Sequence, residues 1–192
     1  MKKIALLFML AGIIFLSIGG YQYIKTKAAE KNTLDEAHSM LESRENTPTT
    51  IDPSSFSADM GETVGLLQIP SIDAELAIVE GTDPDDLEKG VGHFKSSAYP
   101  EQNDQIVLSG HRDTVFRSLG DVKIGDTFII QLESGDYEYE MVSSKIVDAD
   151  DTTIIKSTAP DEELVITTCY PFSYIGDAPD RYIIYAKPIE TN

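Results

Sequence analysis

An apolar run from Ile4 to Ile24, preceded by Met1-Lys2-Lys3 and followed by Lys25 and Lys27, decides how the rest of this chain can be used. About 20 helical residues cross a hydrocarbon core of about 30 Å, so the run is long enough to span a membrane. A cleaved signal peptide has a shorter apolar core, about 7–15 residues, and a small-residue cleavage site. The one candidate site, Ala28-Ala29, follows two lysines. Residues 1–24 are therefore read as an uncleaved membrane anchor. Lys2, Lys3 and the terminal amine precede it, and the positive-inside bias tilts weakly toward an N-terminus inside.

Residues 25–60 read as a tether. From Ala28 to Arg44, Leu34, Ala37, His38 and Leu41 fall at helical spacing, which predicts a short amphipathic helix. Asn46-Thr47-Pro48-Thr49-Thr50 and Asp52-Pro53-Ser54-Ser55 break it. A segment of this kind holds a domain off a membrane surface. Roughly 130 residues remain, enough for one domain, 61–192, with a single core.

From Gly65 onward the pattern is β-branched and aromatic runs separated by Gly, Pro, Asp and Ser. The runs are 66–69, 74–79, 106–109, 127–132, 137–142, 164–169 and 182–186. The pair on either side of Ser134-Gly135-Asp136 reads as a hairpin. Pro84 to Lys89, ended by Gly90, predicts a turn or two of helix, and Asp113 to Leu119 another. Many short strands at regular spacing predict an all-β sandwich or closed barrel.

The formal net charge is −18, from 33 acidic and 15 basic residues. Phosphate binding needs clustered Lys and Arg that release counterions, so nucleic acid is not expected as a partner. The acids read as a solubilising surface. One cysteine, Cys169, precludes an internal disulfide and a Cys-rich zinc site. Three scattered histidines lack ligand spacing, so neither a metal nor another cofactor is expected. The thiol is either a small buried hydrophobe or a nucleophile.

Cys169 ends an apolar strand just before Pro171, and the next strand begins at Arg181. If the two strands pair antiparallel, opposed Cβ atoms lie about 5 Å apart. The guanidinium then reaches the sulfur or a carbonyl bound to it. His111 also follows a strand end, after Gly110. Histidine is the usual general acid or base, with an ordinary pKa of about 6.5. A cysteine beside a histidine and a cation is a standard covalent nucleophile. Bland alternatives stand beside each residue. His111 can be a turn residue, and Arg181 can pair with Asp177 or Asp180 at about 0–1 kcal/mol. Arg112 reads as another surface cation. Asp113 reads the same way or orients His111, and His93 competes as the base. His38 falls in the tether.

These residues resemble those of sortases. Leu164-Val165-Ile166-Thr167-Thr168-Cys169 is similar to the family's Thr-x-Thr-Cys strand, with Ile166 at the variant position. Gly110-His111-Arg112-Asp113-Thr114 and Arg181 match its other two catalytic positions. Gly65-Leu66-Leu67-Gln68-Ile69-Pro70 and Gly90-Val91-Gly92-His93-Phe94 are also similar to family segments. With Phe116, Leu119 and Thr168-Cys169-Tyr170-Pro171-Phe172, the set looks most like class D sortases of Gram-positive spore-formers. The resemblance implies a closed sortase-type β-barrel of about eight strands and one or two short helices, after a transmembrane helix and tether. It implies a single-pass membrane enzyme with an extracellular catalytic domain. That enzyme cleaves a Leu-Pro-x-Thr-Gly-like sorting signal after Thr and passes the protein to a peptidoglycan amine. Cys169 is then the nucleophile that forms the thioacyl intermediate, His111 the proton donor and acceptor, and Arg181 the stabiliser of the oxyanion or substrate. Its partners are secreted surface proteins bearing that signal. The likeness is weakest from Asp148 to Glu163, a loop expected to help form the substrate groove.

Two other readings compete. An L,D-transpeptidase also uses Cys and His on a β scaffold, but places a Ser-x-Gly-Cys type motif close after the His, unlike Thr168-Cys169 here. A non-enzymatic β-domain on a membrane stalk would leave Cys169 dispensable.

Overall fold

The structure, a computed structural model, describes residues 2–46, 51–173 and 176–189. The proposed helix-breaking stretch at 47–50 lies outside them. The described residues form eight strands. They are β1 (Thr63–Ile69), β2 (Ala74–Glu80), β3 (Val91–His93), β4 (Gln105–Gly110), β5 (Thr127–Leu132), β6 (Gly135–Asp148), β7 (Glu163–Tyr170) and β8 (Asp180–Pro188). They close into a barrel in the order β1-β2-β3-β4-β7-β8-β6-β5. Closure removes unpaired edges. The barrel is mixed, because β2 pairs with β3 and β4 pairs with β7 in parallel.

Seven of these strands coincide with the apolar runs of the sequence. The eighth, β3, is three residues long, too short for periodicity to reveal. The β5–β6 turn is tighter than the composition implied, with Leu132 opposite Gly135. Helix α2 (Pro84–Leu87) starts at a proline after Asp83, where a missing N–H costs nothing. Asp113 to Ser118 is a run of turns, followed by a short 3-10 turn at Leu119–Asp121, not the helix expected over Asp113 to Leu119. The backbone N–H groups of Thr114 and Phe116 both bond to the His111 carbonyl, so the chain folds back before a helical ladder can propagate.

Alternation sorts side chains to two faces. Inward residues such as Leu67, Ile78, Ile106, Leu108, Phe128, Ile130, Leu164, Ile166 and Ile184 fill the barrel. A second cluster, Val107, Val165 and Ile183, lies on the outer face of β4–β7–β8 under Ile154. Ile154 belongs to a short 3-10 turn, Thr152–Ile154, in the loop between β6 and β7. That loop, expected to help form a substrate groove, places Ile154 over this outer apolar patch.

The largest difference from expectation is at the N-terminus. Helix α1 runs unbroken from Lys2 to Asn46. Leu34, Ala37 and Leu41 pack on Leu66 and Ala77 of β1 and β2. This explains why β1 is buried on both faces rather than alternately. Thr63 Oγ1 donates to Glu36 Oε2 at 2.7 Å, and Arg44 Nη1 donates to the Leu132 carbonyl and Asp136 Oδ1, both at 2.7 Å. Residues 25–46 are thus a docked helix and not a free spacer. The predicted amphipathic face is the docked face, and its apolar residues find a partner surface in the barrel. His38 lies at its edge and pairs with Glu75. The N-terminal half of α1 is long and apolar enough to cross a membrane, and its Leu, Ile and Phe side chains are exposed.

Candidate active site

Strand β7 lies between β4 and β8, and this order assembles the site. β7 and β8 are antiparallel, with Cys169 directly opposite Arg181. β4 runs parallel to β7 on the other side, and their ladder ends at Gly110 beside Thr168. His111 follows Gly110 directly, one residue past the end of that ladder. Val107, Val165 and Ile183 belong to the outer face. Counting by twos from them along β7 and β8 reaches Cys169 and Arg181. Strand periodicity therefore sets these two on one face, and His111 follows the end of β4.

All three line a single cleft of about 360 Å³. His111, Arg112 and Asp113 border it from the β4 side. Gly176, Asp177, Ala178 and Arg181 border it from the β8 side, with Cys169 between. Cys169, His111 and Arg181 are all half-buried. A thiol there is open to a peptide, unlike a packing cysteine inside the barrel.

Local chemistry holds these residues in place. Thr168 Oγ1, buried, donates to the Gly110 carbonyl at 2.7 Å, tying the strand that carries the thiol to the one that delivers the imidazole. Gly110 has no room for a side chain, since a Cβ would come within 2.6 Å of the Phe116 ring. That ring and Leu119 are fully buried in the barrel, so the turn after His111 is anchored from inside. Beyond Cys169, Phe172 packs on Tyr170 and Tyr182, with ring centroids 5.8 and 5.4 Å apart.

Arg181 Nη1 donates to the backbone carbonyls of Ala178 and Asp180 at 3.3 and 3.0 Å. The carboxylates of Asp177 and Asp180, its partners in the bland reading, form no ion pair with it among the described residues. Asp113 also differs from the orienting role weighed for it. Its side chain is largely exposed and sits 3.5 Å from Arg112 Nε, not on the His111 ring. Arg112 is the clearest correction. It is not a surface cation but is buried to 6 % exposure, with both terminal nitrogens on backbone carbonyls. Sequence reasoning missed both Arg112 and Thr168, because neither residue type nor spacing reports burial.

His93, the competing base, lies elsewhere. It is buried on β3, with Nδ1 2.6 Å from Glu80 Oε2 and Nε2 2.9 Å from the Ala98 carbonyl. Its ring stacks on Tyr99, whose hydroxyl donates to Glu80 Oε2 at 2.5 Å. Burial alone would raise the Glu80 pKa. The hydrogen bonds from His93 and Tyr99 outweigh it and hold the carboxyl below its ordinary 4.5. Burial, followed by the Glu80 contact, pushes the Tyr99 phenol well up. This is a structural network. A carboxyl with a lowered folded pKa adds stability that is complete above the ordinary value and drains as pH falls through the lowered one. Glu80→Gln is expected to cost about 2–4 kcal/mol near neutral pH. It is also expected to flatten the loss of stability below about pH 4.5, the ordinary Glu80 value, as read by urea unfolding across pH.

Residues 67–189 match the family model described as "Sortase domain". The chain belongs to the sortase family. It is 49 % identical to Sortase D of Bacillus subtilis (strain 168), over 98 % of this chain and 100 % of that protein. It is 25 % identical to Sortase A of Listeria monocytogenes, over 88 % of this chain and 83 % of that one. Among solved structures it is similar to a Clostridium perfringens Sortase D5 transpeptidase. The TM-score is 0.70 at 27 % identity, covering 85 % of this chain and 99 % of that one. This sortase is accordingly a cysteine transpeptidase, most like the D class, as its motifs implied. The closed eight-strand barrel is the family fold.

Proposed function

We propose that this sortase cleaves a Leu-Pro-x-Thr-Gly-like sorting signal after Thr and transfers the new acyl end to a peptidoglycan amine, with Cys169, His111 and Arg181 as the reacting set. One observation supports the reading: the sole cysteine is opposite Arg181 across the β7–β8 ladder, and His111 lines the same cleft.

The Cys169 sulfur, as thiolate, attacks the Thr carbonyl carbon. The C=O electron pair moves to oxygen, and the Arg181 guanidinium offers N–H donors to that oxyanion. An oxyanion donor of this kind is worth about 2.7–4 kcal/mol. Collapse breaks the C–N bond, and imidazolium His111 gives its proton to the departing amine. The product is a Cys169 thioester and a free C-terminal peptide. An amine of the cell-wall precursor then enters the site, and neutral His111 takes its proton as nitrogen attacks the thioester. A second tetrahedral state collapses, expelling the Cys169 thiolate and forming a new amide. No redox step is involved, and the enzyme returns to its starting state.

In this reading, residues 1–24 are a single-pass anchor with the N-terminus inside, and residues 61–192 form the catalytic domain outside the membrane. The partners are secreted surface proteins carrying the signal. Intact-mass measurement tests the proposal. Mixing the enzyme with a sorting-signal peptide, without acceptor amine, is expected to add the mass of the N-terminal fragment to the chain. Fragmentation should place that mass on Cys169. An adduct elsewhere, or turnover with no adduct trapped by rapid acid quench, would count against it. The non-enzymatic stalk reading predicts no adduct and no turnover.

A further inference from the structure

We infer that Arg112 is a positioning residue that braces the loop between β7 and β8 and thereby shapes the peptide-binding wall of the cleft. The inference rests on the site assignment proposed above. Its Nη1 donates to the Pro171 carbonyl at 3.1 Å and its Nη2 to the Gly176 carbonyl at 2.7 Å. Pro171 lies on the limb leaving Cys169, and Gly176 on the limb returning to Arg181. One planar group, fixed to the chain next to His111, thus ties together both limbs of the loop.

The chemistry suits arginine and not lysine. A guanidinium carries five N–H donors in a rigid fork, so it can serve two carbonyls in different directions at once. An ammonium is a point charge on a flexible stem and cannot hold the same pair in the same geometry. Keeping a cation buried is costly unless its donors are used. Here the cost is offset on loop carbonyls that nothing in the barrel ladders would otherwise satisfy. The brace also reaches Arg181 indirectly. Arg181 Nη1 bonds to the Ala178 and Asp180 carbonyls, so displacing the loop displaces the acceptors that aim the second guanidinium. Gly176, Asp177 and Ala178 line the cleft, and their position is what a bound peptide meets.

The test uses Arg112→Lys and Arg112→Met in the full chain. Three readouts are taken: steady-state cleavage of a sorting-signal peptide, alkylation of Cys169 by iodoacetamide, and thermal unfolding. The expected result is a loss of about 10- to 100-fold in kcat/KM, the size of one or two hydrogen bonds from a charged donor. KM should rise more than kcat falls. Alkylation should proceed at the parent rate, because so small a reagent needs the thiol and not the wall. In Arg112→Gly, methylguanidinium should restore peptide cleavage where methylammonium does not.

Parent-level cleavage in Arg112→Lys and Arg112→Met would overturn the inference. So would peptide cleavage and alkylation falling together, or failure of both variants to fold, since Arg112 would then support the barrel as a whole. Cys169→Ala in the same assay separates the two levels. If that variant still cleaves, the site assignment fails. If it is dead while Arg112→Lys is fully active, only the brace fails.

Discussion

Replacing Cys169 by Ala is expected to reduce cleavage of a sorting-signal peptide by at least about 10⁴-fold, a typical consequence of deleting a covalent nucleophile. The size follows from what is lost. No other thiol exists in the chain, so nothing can form the thioester in its place. The residual rate would be what positioning and the oxyanion donor provide for attack by water. Stability is expected to change by about 1 kcal/mol or less, as for a substitution outside the packed core. The physical reason is the face on which Cys169 sits. The inward residues of β7 are Leu164 and Ile166, which belong to the barrel interior, whereas Cys169 lies on the opposite face at the strand end. Removing its sulfur leaves the interior packing untouched. Peptide turnover and urea denaturation measured on the same preparation check both halves. Turnover at the parent rate would remove the thiol from the mechanism, and unfolding would make it a packing residue.

Why the fold was largely legible, and the site only partly so, comes down to the range of the interactions. Seven strands announce themselves through local composition, because a half-buried pleat needs β-branched and aromatic residues at alternate positions. β3 does not, because three residues cannot display a period, and its pairing with β2 and β4 is decided by tertiary contact. The adjacency of Cys169 and Arg181 could be argued from a short loop between consecutive strands. That of His111 could not. It depends on β4 lying parallel to β7, a pairing between strands far apart in sequence that local spacing leaves open. For His111 the family resemblance supplied what the residues alone left undecided between it and His93. Burial argues against His93, which is spent on Glu80, Ala98 and Tyr99 inside the molecule, and so supports the proposed role of His111. Arg112 was misread for the opposite reason. An arginine beside an aspartate looks like surface charge, and its enclosure by the returning loop is invisible until the chain is folded. The docked half of α1 was misread likewise. Its apolar spacing was visible, but the barrel surface that receives Leu34, Ala37 and Leu41 was not.

Arg181→Ala is expected to lower kcat by about 10²- to 10³-fold, the cost of one oxyanion donor, while shifting stability by only about 1 kcal/mol. The asymmetry is the argument. Among the described residues, the hydrogen bonds of Arg181 run through one nitrogen, Nη1, to two carbonyls of its own loop. A guanidinium has five donors, so what holds the side chain in place is only part of what it can offer. The thiol stands directly opposite across the β7–β8 ladder, where Cβ atoms are about 5 Å apart. In the proposed mechanism, a carbonyl attached to that sulfur therefore develops its negative charge within reach of the fork. Lysine should recover part of the rate, because it restores the charge without the geometry. The Cys169 alkylation rate discriminates further. A donor that acts on the oxyanion leaves attack on iodoacetamide unaffected, since that reaction displaces iodide and builds no tetrahedral oxyanion. If instead kcat, alkylation and unfolding temperature all decline together in Arg181→Ala, the guanidinium is a strut for its loop, and the oxyanion must be stabilised by something else in the cleft.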